Sequence, residues 1–309
     1  MSQIGFKNVP CGRIRFEDCL KSCPIGERCI PYPVLKLMAR TRQWNGKLST
    51  TQALNGTRET YMSINIPYYI DPNDMVFATL GTASHTKVEK HSGGNDLFEE
   101  FLEDDTTTGF ADLLSDEGET MVLWDYKTYG SWKTAKLLGI DKRKIPSPTG
   151  EVYKTNTKYG NKGDIKMVDE YFINPEKIDN WDVSMQLNRY RIFYEKMGFK
   201  VDKMKIYIML KDGNQMSAKQ RGLDKNHYVV DIPLLTDKEV LDYYKLKHEA
   251  IQEAFLTGNT YMCSDKERWY NEDYKSYGKC DKFCSVRNHC RILQEIESEN
   301  MEVNNDYKD

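Results

Sequence analysis

The sequence predicts a mixed α/β protein in which helices flank a small central sheet and cysteine-rich segments lie at both ends. Strand-like runs alternate with helical periodicity through the middle of the chain. Of the 309 residues, 39% are hydrophobic and 29% are charged, which is the composition of a globular protein with a sizeable core. All eight cysteines fall in residues 11–29 and 263–290.

Overall charge and hydropathy narrow the classes of function. The net charge is −3, so binding of nucleic acid would depend on local basic patches. No apolar run reaches the length of a membrane-spanning helix, and the N-terminus lacks the apolar core of a signal peptide. We therefore expect a cytoplasmic protein of a bacterial, archaeal or phage-infected cell that does not interact with membranes.

The first half of the chain predicts helices followed by a β-hairpin. Residues 47–63 begin with candidate N-cap side chains, and residues 74–104 have helical character interrupted by a loop at "HSGGND". In "TTTGFADLLSDEGETMVLWDYKT", two apolar runs surround the turn signal "SDEG", which predicts a hairpin. Residues 142–165, rich in Lys, Gly, Pro and Thr, are typical of a long surface loop.

The second half predicts a helix, two strands and a further helix. Residues 178–197 have the apolar periodicity of a helix, and residues 203–210 and 227–235 are strand-like. Residues 236–257 predict a long helix capped by Thr236. These elements predict a core over residues 47–257, between a cysteine-rich segment at 1–46 and a cysteine-rich segment with a tail at 258–309.

Two aspartates are expected to meet at the open end of the hairpin. Asp112 lies on its first arm and Asp125 on its second. Two carboxylates that close repel each other unless a cation lies between them, and such oxygen ligands suit Mg²⁺ or Mn²⁺. Lys127 shares a strand face with Asp125 because side chains alternate along a strand. A surface salt bridge is the plainer alternative for Asp125 and Lys127.

Four short motifs follow one another in order on these elements. They are "GTASH" ending at His85, "GFAD" ending at Asp112, "DYKT" with Asp125 and Lys127, and "QLNRY" with Gln186 and Tyr190. This ordered set resembles the PD-(D/E)XK nuclease superfamily, in particular its RecB-like branch, which includes CRISPR-associated and phage exonucleases. The resemblance covers about residues 49–210 and the C-terminal cysteines. It implies a restriction-endonuclease-like core of the α/β (α+β) class.

The resemblance also implies a metal-binding set. Asp112 and Asp125 would bind the catalytic Mg²⁺ or Mn²⁺, with the Tyr126 carbonyl as a further ligand. His85 would be another metal ligand or an active-site contact. Taken alone, a histidine after a helix is more often structural, so only the joint pattern favours a catalytic role.

Further residues are implied to handle the substrate. Lys127 would act on the attacking water or on the scissile phosphate. Gln186 and Tyr190 would position the DNA backbone or the catalytic lysine. Cations and aromatic rings that follow the second hairpin strand are candidates for holding DNA, with a solvated surface as the alternative. They are Tyr129, Trp132, Lys133, Lys136, Lys142, Arg143 and Lys144.

The clustered cysteines predict metal sites, because a cytosolic chain rarely forms disulfides. The last three cysteines of each group share the spacing C-x3-C-x5-C, and four thiolates suit either Zn²⁺ or an iron–sulfur cluster. The first group is Cys11, Cys19, Cys23 and Cys29, and the second is Cys263, Cys280, Cys284 and Cys290.

Two ligand arrangements remain open. In the favoured one, each group forms its own site, with Zn²⁺ at the N-terminal group and [4Fe-4S] or Zn²⁺ at the C-terminal group. In the other, Cys23 joins Cys280, Cys284 and Cys290, and Cys263 takes no part. The resemblance favours iron–sulfur at the C-terminal group, although "NGTR" stands where the family's N-terminal cysteine ligand would be. Eight reduced thiols without metal are the plainest alternative.

The expected function is a metal-dependent DNA nuclease that acts as an exonuclease or on single strands and ends. Its setting would be DNA repair, recombination or phage DNA processing, with a helicase or recombination protein as a partner. The alternatives are a catalytically silent, metal-stapled nucleic-acid-binding or adaptor protein on the same fold, and a CRISPR adaptation nuclease. The intact set Asp112, Asp125 and Lys127 favours the enzyme over the silent protein.

Overall fold

The computed structural model describes residues 3–41, 43–91, 93–272 and 274–295. In these residues the strands are β1 (Gln3–Val9), β2 (Gly12–Arg15), β3 (Leu48–Ser49), β4 (Tyr68–Ile70), β5 (Leu97–Glu103), β6 (Thr107–Asp116), β7 (Met121–Tyr129), β8 (Ile140–Pro146), β9 (Met167–Ile173), β10 (Lys203–Leu210), β11 (His227–Ile232), β12 (Tyr270–Asn271) and β13 (Ser276–Tyr277). The helices are α1 (Phe16–Lys21), α2 (Tyr32–Met38), α3 (Thr50–Ala53), α4 (Thr57–Asn65), α5 (Pro72–Glu89), α6 (Ser131–Leu138), α7 (Trp181–Lys196), α8 (Met216–Lys219), α9 (Asp237–Thr257) and α10 (Asp265–Arg268). The predicted mixed α/β class is confirmed.

The chain forms two compact units. Unit 1 comprises Met1–His91, Glu100–Phe110 and Thr236–Asp309, and unit 2 comprises Ser92–Glu99 and Ala111–Leu235. The predicted segment boundaries, after residues 46 and 257, stay predictions. No helix in the described part of the chain combines the length and the apolar character needed to cross a membrane.

Unit 2 is built on a mixed sheet in which β11, β10, β7 and β6 are neighbours in that order. β6 and β7 form the predicted antiparallel hairpin, with Leu113 opposite Trp124 and Asp116 opposite Met121. β10 pairs parallel with β7 and antiparallel with β11. A parallel neighbour requires a long crossover, and the chain between β7 and β10 supplies one that contains α6, β8, β9 and α7.

Helix α7 packs against β7 and β11 and is buried along residues 183–194. Polar side chains tie it to the segment that follows β11. Asn188 donates to the Pro233 carbonyl and accepts from the Leu235 amide, each at 2.9 Å, and Arg191 donates to the Leu235 carbonyl at 3.1 Å. Because these buried groups find backbone partners, the helix tolerates polar residues inside the core.

Unit 1 has a three-stranded sheet in the order β2, β1, β4, and β3 pairs in parallel with the first residues of β6. Its hydrophobic cluster joins residues from both ends of the chain. Phe6 and Cys19 from the first segment share this cluster with Cys284 and Val286 from the last. The two cysteine-rich segments therefore contribute to one core, with α1, α2 and α4 packed around it.

The helix expected at residues 47–63 is two helices. Ser49 begins α3 with a capping box, accepting from the Gln52 amide while the Gln52 side chain accepts from the Ser49 amide. The chain then breaks at Asn55 and Gly56, where Gly56 has extended backbone (φ −61°, ψ 140°) before α4 begins.

The helical expectation for residues 74–104 is wrong in its second half. Helix α5 ends at Glu89, and the following loop contains Gly94 with a φ of +76°, a conformation that favours glycine. The residues after it form β5, which pairs with β6. Pairing with a neighbouring strand thus outweighs the local helical preference.

The long loop expected at residues 142–165 begins instead within a strand. β8 and β9 form an antiparallel pair in register from Ile140 opposite Ile173 to Pro146 opposite Met167. The charges that suggested a loop lie across from one another in this pair. Arg143 contacts Glu170, while Lys142 and Lys144 both contact Asp169.

We expect Thr236→Ala to lower the free energy of unfolding by about 1 kcal/mol, because the Thr236 hydroxyl caps α9 by accepting from the Glu239 amide at 3.3 Å. Urea unfolding followed by circular dichroism measures the change. Thr82→Ala on the exposed side of α5 is the matched control, and it should be neutral or slightly stabilising because alanine has the better helix propensity. Equal effects of the two substitutions would contradict a capping role.

Candidate active site and cysteine groups

The hairpin of β6 and β7 carries two predicted metal ligands at its open end. The paired register stops at Leu113 opposite Trp124, and its continuation sets Asp112 across from Asp125. There the Asp112 carboxylate accepts a hydrogen bond of 2.7 Å from the Tyr126 amide. At this point the backbone of β7 donates to the Asp112 carboxylate rather than to a backbone carbonyl, and this hydrogen bond holds the carboxylate beside β7.

Asp125 and Lys127 form a close ion pair on one face of β7. The Lys127 Nζ lies 2.6 Å from an Asp125 carboxylate oxygen, and the side chains are only 19% and 3% exposed. Burial alone would lower the pKa of Lys127, but the charge of Asp125 and, more weakly, those of Tyr129 and Asp112 raise it above its ordinary value. This arrangement is not the exposed salt bridge that the sequence left as the alternative.

Gln186 and Tyr190 lie one turn apart on α7, and both are buried. The Gln186 Nε2 donates to the Tyr190 hydroxyl at 3.2 Å. Burial raises the pKa of Tyr190 to about 12, the Gln186 hydrogen bond opposes this, and the charges of Asp125 and Lys127 also act on the phenol. Helix α7 therefore places Tyr190 close enough to the hairpin for the charges of Asp125 and Lys127 to act on its phenol.

Glu99 is a carboxylate near the hairpin that the sequence reasoning missed. One of its oxygens lies within 4.8 Å of an Asp112 oxygen. Its φ of +48° is in the left-handed region, where a residue with a side chain is strained by about 1–3 kcal/mol. The acidic pair Glu99–Glu100 inside the apolar run "LFEEFLE" is the signal that could have revealed it.

Two further predicted metal ligands are His85 and the carbonyl of Tyr126. His85 lies on α5 in unit 1. Tyr126 is on β7, and burial followed by the charges of Asp112 and Asp96 raises the pKa of its phenol to about 12. The metal-ligand roles of His85 and of the Tyr126 carbonyl stay predictions.

The cations predicted to hold DNA are largely paired with acidic side chains. Lys133 contacts Asp182 at 3.0 Å, and the cations of β8 contact the acidic residues of β9. Lys136 lies over the ring of Trp132 at 4.4 Å from its centre, and Trp132 is half-exposed. This surface therefore combines balanced charge with one aromatic platform and is not strongly basic.

The N-terminal cysteines surround α1. Cys19 is buried within this helix, Cys11 lies at the turn between β1 and β2, and Cys23 and Cys29 lie on the loop that follows. Burial and then the neighbouring thiols of Cys11, Cys29 and Cys23 raise the pKa of Cys19, while Arg28 opposes them. The loop folds back on the helix, because Arg28 donates to the Cys19 carbonyl at 2.7 Å.

The C-terminal cysteines line one cavity of about 270 Å³ in unit 1. All four members of the second group, Cys263, Cys280, Cys284 and Cys290, contribute to its wall. Burial raises the pKa of the three thiols for which a shift is resolved, and it raises that of Cys284 to about 12. Four basic side chains, Arg268, Lys279, Arg287 and Arg291, line the same cavity together with three acidic ones, Glu59, Glu267 and Asp281.

The break between α3 and α4 fits closely against this cavity. A Cβ at Gly56 would lie 2.3 Å from the Cys263 sulfur and 3.0 Å from the Cys263 Cβ, so glycine is what allows the close approach. Lysines fasten the same junction, since Lys247 donates to the Asn55 carbonyl at 2.6 Å and Lys279 to the Asn55 side chain at 2.7 Å. Gly56 of the segment "NGTR" thus packs directly against Cys263.

Gly56→Ala should therefore destabilise unit 1, because Cys263 or the backbone at residue 56 must move to make room for the new methyl group. We expect a loss of about 1–3 kcal/mol and a lower midpoint of thermal unfolding. Gly93→Ala is the control, since a Cβ at Gly93 has no atom within 4 Å. If both variants unfold at the temperature of the parent, the close packing of Gly56 against Cys263 is disproved.

Comparison with known proteins leaves the family open. The sequence matches no protein-family model and no curated protein. A solved structure named SSO0001 is 13% identical, covers 87% of this chain and 93% of its own, and has a TM-score of 0.38. A phage-related exonuclease from Haemophilus somnus 129PT is also 13% identical, with a TM-score of 0.38 over 68% of this chain and 93% of its own. Similarities this weak carry no argument about this chain, so function has to be argued from its own residues.

Proposed function

We propose that this protein is a Mg²⁺- or Mn²⁺-dependent deoxyribonuclease that hydrolyses phosphodiester bonds. One observation carries the proposal: Asp125 and Lys127 form a buried ion pair of 2.6 Å at the open end of the hairpin, and the charge of Asp112 also acts on Lys127. Asp112 is held beside β7 by the Tyr126 amide. Carboxylates and a fixed cation at one end of a hairpin match the chemistry of phosphoryl hydrolysis.

The donor set fits a hard divalent cation. Asp112, Asp125 and Glu99 supply carboxylate oxygens, which Mg²⁺ and Mn²⁺ prefer to nitrogen or sulfur ligands. The left-handed backbone of Glu99 and its distance of at most 4.8 Å from Asp112 support its inclusion. When bound, such an ion would offset the negative charge that develops on the phosphate. The Tyr126 carbonyl and His85 complete the set proposed from the resemblance.

The chain's own groups then orient the substrate. Asp125 keeps the Lys127 ammonium fixed on one face of β7, where its N–H groups can donate to a phosphate oxygen. Gln186 and Tyr190, linked at 3.2 Å, are proposed to hold the phosphate backbone or Lys127 in position. The oxygen of a water molecule forms the new bond to phosphorus as the ester P–O bond breaks. One proton passes from water to the departing oxygen, which leaves one fragment with a phosphate and the other with a hydroxyl group.

Asp125→Asn and Lys127→Ala should each lower the rate of Mg²⁺-dependent cleavage of single-stranded DNA by about a thousandfold or more, because the first removes a proposed metal-binding charge and the second removes the cation proposed to contact the scissile phosphate. Glu99→Gln should cause a smaller loss and raise the Mg²⁺ concentration needed for half-maximal rate. A fluorescent oligonucleotide resolved by gel electrophoresis reports cleavage. Removal of one member of a buried ion pair can destabilise a protein, so circular dichroism and thermal unfolding are used to check that each variant remains folded.

The matched controls are Asp231→Asn and Lys203→Ala, which change the same residue types at exposed positions of β11 and β10. Both should cut like the parent. If Asp125→Asn and Lys127→Ala also cut like the parent, the assignment of the active site is wrong. A parent protein that binds DNA but never cuts it would instead support the catalytically silent alternative.

We further propose that each cysteine group holds its own metal. The four thiols that line one cavity fit a [4Fe-4S] cluster or Zn²⁺ at the C-terminal group. Zn²⁺ is proposed at the N-terminal group, whose thiols act electrostatically on Cys19. Bound metal would add folding free energy to segments that are short of regular structure.

Substitution of one cysteine at a time separates the two ligand arrangements. With separate sites, Cys263→Ser should lower the metal bound by the C-terminal group, whereas Cys23→Ser should lower only the N-terminal zinc. Anaerobic purification followed by metal analysis and an absorption spectrum measures both. The opposite result, in which Cys23→Ser removes the C-terminal metal and Cys263→Ser does not, would establish a shared site.

A further inference from the structure

A second cavity in unit 1, of about 640 Å³, lies away from the cysteines. Its walls come from the segment before α4 and from β5 and β6. The side chains fall into two chemical kinds, aromatic rings and amides. The rings are those of Trp44, Phe101 and Phe110, and the amides are those of Gln43, Asn45, Gln52 and Asn55.

The aromatic rings are presented to solvent in a fixed arrangement. Phe101 and Phe110 lie on the paired strands β5 and β6, with ring centres 5.1 Å apart, and are 49% and 46% exposed. Trp44 stacks on Phe255 at 5.3 Å with an angle of 13° between the rings, which holds the indole in place. The planes of the Phe101 and Phe110 rings are inclined by 49°, and the exposed faces of such rings are surfaces on which another flat ring can stack.

The polar part of the cavity is nearly neutral. The amide oxygens of Asn45, Gln52 and Asn55 accept hydrogen bonds within the protein, so these side chains present mainly their NH₂ groups, which can donate to the acceptor atoms on the edges of nucleobases. Its cation, Lys47, is paired with Glu103 at 3.1 Å. A cavity that combines rings and amides with little net charge suits bases better than phosphates.

Bases inside a duplex are already stacked and paired, so only unpaired bases are free to stack on protein rings.

We propose that this cavity binds unpaired bases of single-stranded DNA, with Phe101 and Phe110 as the stacking platform and the amides contacting base edges. The inference rests on the proposed nuclease function and defines its substrate as single-stranded. Base stacking on aromatic side chains is tolerant of sequence, so the site favours single strands without selecting a sequence.

Binding of labelled oligonucleotides tests the proposal without cleavage. Fluorescence anisotropy is measured in Ca²⁺, without Mg²⁺ or Mn²⁺, on a short oligothymidylate and on an abasic strand of equal length that retains every phosphate. The parent should prefer the strand with bases. Phe101→Ala/Phe110→Ala should weaken binding of oligothymidylate by about tenfold or more and leave binding of the abasic strand unchanged.

Two further variants show whether a loss of binding comes from the missing rings or from loss of folding. Phe101→Leu/Phe110→Leu keeps an apolar side chain but removes the flat ring, so it should show the same selective loss. Phe77→Ala removes a ring that is 58% exposed on α5, outside this cavity, and should bind both strands like the parent. The platform is disproved if the double variants bind oligothymidylate normally, or if they lose both strands equally.

The cleavage assay keeps this inference separate from the proposed function. Normal DNA binding by the cavity variants, together with loss of cleavage in Asp125→Asn, would overturn the stacking site and leave the nuclease intact. A parent that neither binds nor cuts DNA would overturn the nuclease and the stacking site together.

Discussion

The buried ion pair between Asp125 and Lys127 is the constraint on which the candidate active site depends. Either charge alone, removed from water, would cost several kcal/mol, so the two are stable there only together. Their spacing of two residues keeps them on one strand face, β10 pairs alongside that strand, and α7 packs against it. The same burial that makes the pair costly holds it in one geometry, as a catalytic site needs.

A second constraint operates in unit 1, where the two ends of the chain share a core. Cys19 and Cys284, which lie far apart in sequence, belong to the same hydrophobic cluster. The C-terminal segment is also anchored by two buried lysines: its own Lys279 contacts Asn55, and Lys247 of α9 contacts both Asn55 and Glu267 of that segment. Metal bound at either cysteine group would therefore strengthen a core that the chain already begins to form.

The site residues that the sequence predicted are those with a local signal. Asp112, Asp125 and Lys127 follow from a turn and from strand alternation, both properties of a few neighbouring residues. Gln186 and Tyr190 follow from helical spacing in the same way. Glu99 was missed because its segment has helical character when read alone, and only its pairing with β6 makes it a strand. The charges of β8 suggested a loop for the same reason, since their partners lie on β9, about 26 residues further along the chain.

By itself, the sequence determined the mixed α/β class, the hairpin with its three charged residues, the long helices and the two groups of four cysteines. Periodicity, caps and turn residues act over a few positions, so a single chain displays them directly. The tertiary structure alone decided that Glu99 approaches Asp112, that Gly56 makes room for Cys263, and that Phe101 and Phe110 form one exposed platform. Each of these depends on contacts between segments distant in sequence, and no local pattern encodes which segments will meet.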